Sequence, residues 1–439
     1  MKTLKTKSAG IHSYMLWFFA SVTFLILLNI ISAFIPRDQL VKRTKQAFAK
    51  SHLLKSDVGG NIYGLDAWRG NHQYQDCLVL MQALHLSDDW KENAFLGPKS
   101  GEAKCQWLYD YVFEQQDQEE LMSTVHMYWQ YNHGTVAVTS IFCSVIPLEL
   151  YRALLKFITI LLTALSGIAL ILVSDKKFKG SGLAIAGMGA VIMLLTLHGF
   201  DFFGQNLSHG LGDWISIGFF AILMWSIHWG LSYKKNVILC IIFGSLSAYI
   251  EYLIGILPFC IISILIFGAI KNRIDSTYNF SKVFRLLFTY GISFAGTFVV
   301  FLLVKYFLVN DSIFKVFYET FTYRINGETY SIGDVYTGLI DYLYFLGSGN
   351  KKFVYLSLIF IGLSLVSTII IRFKQILLYK TSNYLFLAAA IFPFFWYTTF
   401  INHTAGHPWF MLRFSTLSLI SIFIFTCLLL FEPKKILKN

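Results

Sequence analysis

A chain of 439 residues that is 56% hydrophobic and 14% charged is not an ordinary soluble globule. Its net charge of +11 is spread by membrane topology, so nucleic-acid binding needs no place in the reading. A spanning helix needs about 20 apolar residues to satisfy its backbone in lipid.

Suitable stretches fall at 14–35, 154–173, 181–199, 214–232, 237–250, 254–270, 285–308, 353–371, 384–401 and 412–430. The expected class is therefore an all-α polytopic membrane protein of about 10 transmembrane helices. The pair 237–250 and 254–270 is read as two short arms meeting near Glu251 rather than one long helix. Lys234 and Lys235 before it and Lys271 and Arg273 after it then share the cytoplasmic side.

The same rule puts Lys2, Lys5 and Lys7, the loop around Lys176, residues 271–285, Arg372 to Lys380 and the tail inside. That side holds 18 basic and 3 acidic residues, a balance of +15, and the remainder holds 18 against 22, or −4. Both termini are expected in the cytoplasm of a multi-pass protein of the cell membrane.

Residues 1–35 form a cytoplasmic N-terminus and first span, and WFFASVTFLILLNIISAFI is longer than a signal-peptide core and lacks a small-residue cleavage site. It reads as an anchor. Residues 36–150 then form a mainly helical extracytoplasmic domain, in which LVLMQALHL and CQWLYDYVFEQQ carry apolar residues at helical spacing. Cys77 and Cys105 are expected to pair there because that compartment is oxidising, closing a loop worth about 3 kcal/mol in chain entropy.

Residues 135–149 read as an interfacial amphipathic helix ahead of the second span. The multispan part, 151–439, carries external loops at 199–213, 309–350 and 402–411.

Four polar groups gather on the external side, where charge near a membrane tends to mark function. Asp66 and Asp76 are interleaved with Trp68, Arg69, His72 and Tyr74. Such carboxylates can take a proton from an attacking hydroxyl or hold a divalent metal beside a leaving phosphate, while aromatics stack on sugar faces. The plain alternative is a solvated carboxylate paired with Arg69.

The second group is Tyr128, Trp129, Tyr131, Asn132, His133 and Gly134, whose aromatics also serve as headgroup anchors. The third is HGFDFFGQNLSHGLGDW with Asp201 and Asp213, joined by Glu251 between two tyrosines. The fourth is NHTAGHPWFMLRF, with His403, His407 and Arg413. A guanidinium set into an apolar stretch suits a lipid phosphate, or else an acidic partner. Lys315, Tyr318, Tyr323 and Arg324 lie in a Tyr-rich loop, and Asn206, Asn310 and Asn402 each open an Asn-x-Ser/Thr triplet.

The order of anchor span, acidic external loop, His-Gly element, apolar surface helix and the Arg-bearing entry LELYRALLKF resembles the GT-C superfamily of polyprenyl-phosphate-sugar glycosyltransferases. QDCLVLMQAL, YWQYNHGTVAV, the Glu251-Tyr252-Leu253 segment and NHTAGHPWF are similar to a group of bacterial multispan proteins within that class. The resemblance implies inverting transfer of a sugar from a polyprenyl monophosphate to an envelope glycan or lipid-linked acceptor outside the cell, helped by a divalent metal (Mg or Mn) if any.

It implies Asp76 as base with Asp66 beside it, and Arg413, His407 and His403 on the donor phosphate. His133, Tyr131, Asp201, Glu251 and Trp68 would then hold substrate. The chain departs from the family in lacking an Asp-Glu pair and in carrying Gly134 where a proline is usual. A polysaccharide polymerase or ligase, or a lipid-linked glycan flippase or transporter, is the rival reading.

Overall fold

The protein is described by a computed structural model, over residues 2–57, 72–85, 87–101, 103–113, 124–128, 131–177, 206–250, 255–275, 278–310, 312–346 and 384–431. Among these residues it is mostly helical. A long helix α1 (Lys2–Ala33) leads into a cap of α2 (Arg37–Ala49), α3 (His72–Leu84), α4 (Trp90–Phe95), β1 (Pro98–Ser100), α5 (Lys104–Phe113) and β2 (Val125–Met127). Then come α6 (Gly134–Val145), α7 (Leu148–Lys177), α8 (Gly210–His228), α9 (Tyr233–Ile250), α10 (Ile256–Ile274) and α11 (Phe280–Leu308). The chain closes with α12 (Ile313–Ile325), α13 (Ile332–Leu346), α14 (Tyr384–Thr399), α15 (Ile401–Gly406) and α16 (Pro408–Phe431).

Among the described residues four helices are long and apolar enough to cross a membrane: α1 through His12–Ala33, α7 through Leu148–Val173, α8 and α11. Their surroundings differ as a bilayer demands. Leu16, Phe24, Phe157, Ile160, Phe288 and Val299 stay exposed on α1, α7 and α11, whereas α8 is enclosed by α7, α9 and α10 and buries Phe219 and Phe220. A multi-pass membrane protein follows from these helices. Shorter apolar helices include α14 and the Arg413–Cys427 part of α16. The expected stretches at 181–199 and 353–371 lie outside the described residues.

Two local features differ from the sequence reading. The helix expected over 135–149 is shorter: α6 ends before Pro147, and a separate helix starts at Leu148. A proline contributes no N–H to a helix interior and suits a helix start. Helix α6 is packed between α1, α2, α3 and α9 and buries Val136, Ala137 and Cys143, so it joins cap to bundle.

The second difference is an antiparallel pair of three-residue strands, β1 and β2, that sets Lys99 opposite His126. Turn-like GPKSG gave no strand signal. Cys77 and Cys105 form the expected disulfide, tying α3 to α5.

Candidate functional site

The chain enters α6 through Tyr131, Asn132 and His133, a turn gripped from three helices. Asn132 donates through Nδ2 to the Ala248 carbonyl at 2.7 Å, and its own carbonyl accepts from Asn29 Nδ2 at 2.9 Å. The Tyr249 hydroxyl donates to Asn29 Oδ1 at 2.6 Å, and Lys305 Nζ donates to the Tyr131 carbonyl. A side chain on Gly134 would drive its Cβ into the Tyr249 carbonyl oxygen. That close approach explains the His-Gly sequence.

His133 adopts a left-handed backbone with φ 57°, which few non-glycine residues take. Its Nε2 lies 2.9 Å from the Tyr128 carbonyl oxygen, so Nε2 carries the proton and donates. The buried Nδ1 has no hydrogen-bond partner among the described residues. Burial, and then the Lys305 charge, holds this imidazole well below its ordinary value, with the Tyr128 carbonyl acting the other way.

Next to this turn stands a cluster of cations and tyrosines. Arg324 Nη2 donates to the Tyr131 hydroxyl at 2.6 Å, and its guanidinium carbon lies 5.6 Å from the centre of that ring. The Tyr128 and Tyr131 rings are 4.8 Å apart, and Lys99 Nζ lies 4.9 Å from the Tyr128 ring. Strand pairing places that lysine, because the Tyr128 N–H bonds the Gly97 carbonyl beside β1.

Among the described residues no carboxylate forms an ion pair with Lys99 or Arg324. Burial works against the Arg324 charge, and Tyr131 and Tyr128 more than offset it.

Asn402 brings the histidines to this cluster. Its Nδ2 donates to the Tyr323 carbonyl at 2.7 Å and its Oδ1 accepts from the Tyr330 N–H at 3.3 Å, seating α15 on α12. The His403 and His407 rings are 5.1 Å apart. Burial, then the Arg324 charge, lowers His403 to about 2. His407 occupies a recess, walled by protein yet exposed, and is lowered to about 4 by that burial and then by Lys99 and Arg324.

From Tyr131 and Arg324 an apolar cavity of about 250 Å³ runs between α11 and α12. Phe294, Phe298, Phe317, Phe321 and Phe400 line it, and Val299 and Phe321 open it to the exposed side of the helices. The result is an aromatic, apolar cavity that counts the bonded Arg324 and Tyr131 side chains among its lining.

Of the residues singled out in the sequence, Tyr131, His133, His403 and His407 meet here. Asp76 and Arg413 do not. Asp76 is 1% exposed: its Oδ2 accepts from Arg152 Nε at 2.8 Å and from Nη2, and its Oδ1 accepts from the Leu207 N–H at 2.7 Å. Both oxygens expected to deprotonate an acceptor are thus engaged by protein.

Arg413 is 3% exposed and donates to Asp213 Oδ1 at 2.7 Å, so the guanidinium expected on a lipid phosphate is in a buried ion pair. Both pairs hang on the single segment 206–213 and share an end of the bundle. Asp66, Trp68, Asp201 and Glu251 lie outside the described residues.

Lys99 and Lys305 were missed. A lone lysine in the apolar run 285–308 was the available signal for Lys305; Lys99 had none. Asn206 and Asn402 are buried with their side-chain amides bonded, whereas Asn310 is exposed.

Three histidines kept neutral by the fold make stability fall in acid. In the unfolded chain each takes up a proton near pH about 6.5, whereas folded His133, His403 and His407 resist it. The unfolded state therefore binds more protons as pH falls through that value, and stability drops. Melting of the detergent-solubilised protein should shift down between pH about 7 and 5, less steeply in His403→Gln.

Among the described residues no three His, Cys, Asp or Glu side chains gather to hold a metal ion. Comparison with protein-family models, curated proteins and solved structures finds no match.

Proposed function

We propose that the chain is an integral-membrane glycosyltransferase of GT-C-like, ten-span architecture. It moves a sugar from a polyprenyl monophosphate to an envelope glycan or lipid-linked acceptor on the extracytoplasmic face. One observation carries this reading: the apolar groove between α11 and α12 has the bonded Arg324–Tyr131 pair in its lining.

A polyprenyl tail fits an aromatic groove open to lipid, and the guanidinium fork matches phosphate oxygens and is more weakly hydrated than an ammonium. As the acceptor hydroxyl attacks the anomeric carbon, the bond from that carbon to the phosphate oxygen breaks. The leaving lipid phosphate keeps the electron pair, and Arg324 stabilises the charge it gains. The acceptor proton passes to a carboxylate, a role that falls to Asp66 on sequence grounds because Asp76 is held by Arg152 and Leu207.

A divalent metal, if used, would draw on Asp66, Asp201 or Glu251 rather than on the described carboxylates.

The test offers purified protein in lipid nanodiscs a polyprenyl monophosphate bearing labelled sugar, together with envelope extract. Label should move to the extract, and Arg324→Ala should lower kcat/KM by about a hundredfold, the loss of a charge-assisted bidentate contact. Undiminished turnover by Arg324→Ala would remove the phosphate assignment. Transbilayer movement of the intact lipid without transfer would replace the enzyme with a flippase.

A further inference from the structure

We infer that the ligand head bound at this site carries two negative groups, one held by Arg324 and a second, adjacent one held by Lys99. The inference rests on the lipid-phosphate reading above and narrows the substrate class.

The geometry is that of a double cationic seat. Lys99 and Arg324 come from elements far apart in sequence, β1 and α12, and lie at neighbouring rings, Lys99 by Tyr128 and Arg324 by Tyr131. His407, recessed and accessible, feels both charges, so the two cations act on one neighbourhood. Among the described residues neither cation has a carboxylate to pair with, and Arg324 weakens the charge on Lys99. Two like charges held close by a fold are stabilised when anions arrive between them.

A single phosphate satisfies a bidentate Arg324 and leaves Lys99 facing only a tyrosine ring, which is worth less than an ion pair. A second anion beside the first completes the seat. That anion is either the second phosphate of a diphosphate-linked lipid or a carboxylate on the sugar next to a monophosphate. Both present the same chemistry to Lys99.

Calorimetry on the full chain in detergent can measure a farnesyl-length prenyl monophosphate against its diphosphate. A second pair compares prenyl monophosphates carrying a uronic acid and the matching neutral sugar. Wild-type protein should prefer the doubly charged member of one pair by about tenfold, and which pair shows it names the source.

Lys99→Ala should bring that member down to the level of its singly charged partner, and Lys99→Arg should restore the preference, which separates charge from folding. Equal affinities within both pairs would overturn the inference while Arg324-dependent monophosphate binding kept the parent reading. No binding of any prenyl phosphate would overturn both.

Discussion

Arg413→Ala is expected to cost the protein its fold rather than its affinity for a donor. The guanidinium and Asp213 are 3% and 2% exposed and meet at 2.7 Å, so truncation strands a carboxylate where water cannot reach it. Removing one partner of such a pair costs about 3–5 kcal/mol, a large fraction of the stability of most domains. Size-exclusion profiles and thermal melts in detergent should show aggregation or a sharply lowered midpoint. The double change Arg413→Met with Asp213→Leu should recover most of it, since an apolar pair of similar volume is often no less stable than the buried ions. A well-folded Arg413→Ala with selectively weakened donor use would return this residue to the phosphate.

The second large effect separates the two candidate bases, Asp76 and Asp66. Asp76→Asn keeps the shape but removes the charge that Arg152 and the Leu207 N–H are arranged around. Loss of folded protein on the same scale of about 3 kcal/mol or more is expected, visible as poor recovery after solubilisation. Asp66→Asn should give normal yield and melting with turnover reduced to background. If Asp76→Asn instead folds normally and is inactive, the base is Asp76 and the ion pair with Arg152 opens during the reaction.

Membrane class was legible because backbone hydrogen bonding in lipid forces long apolar runs, and those runs at α1, α7, α8 and α11 stand out without any partner. The Cys77–Cys105 bond was legible from compartment alone. Pairings across the chain were not. Asp76 finds Arg152 and Leu207, and Arg413 finds Asp213, at separations of 76, 131 and 200 residues. No local pattern encodes them, and the nearby Arg69 drew attention instead. Tyr131, His133, His403 and His407 were found as polar residues at span ends, yet what assembles them is the packing of α15 on α12 and a two-strand ladder too short to leave a period in the sequence.

The stretch from Leu207 to Asp213 touches the cap through one carboxylate and the final helix through another. It therefore works as a strut. A tilt of the last helix that moved Arg413 would pull on the backbone amide holding Asp76, and through Arg152 on the head of α7. Opening the protein for the lipid proposed above must then either leave this brace undisturbed or break two interior ion pairs together, which directs any breathing motion toward α11 and α12, on the groove's own side.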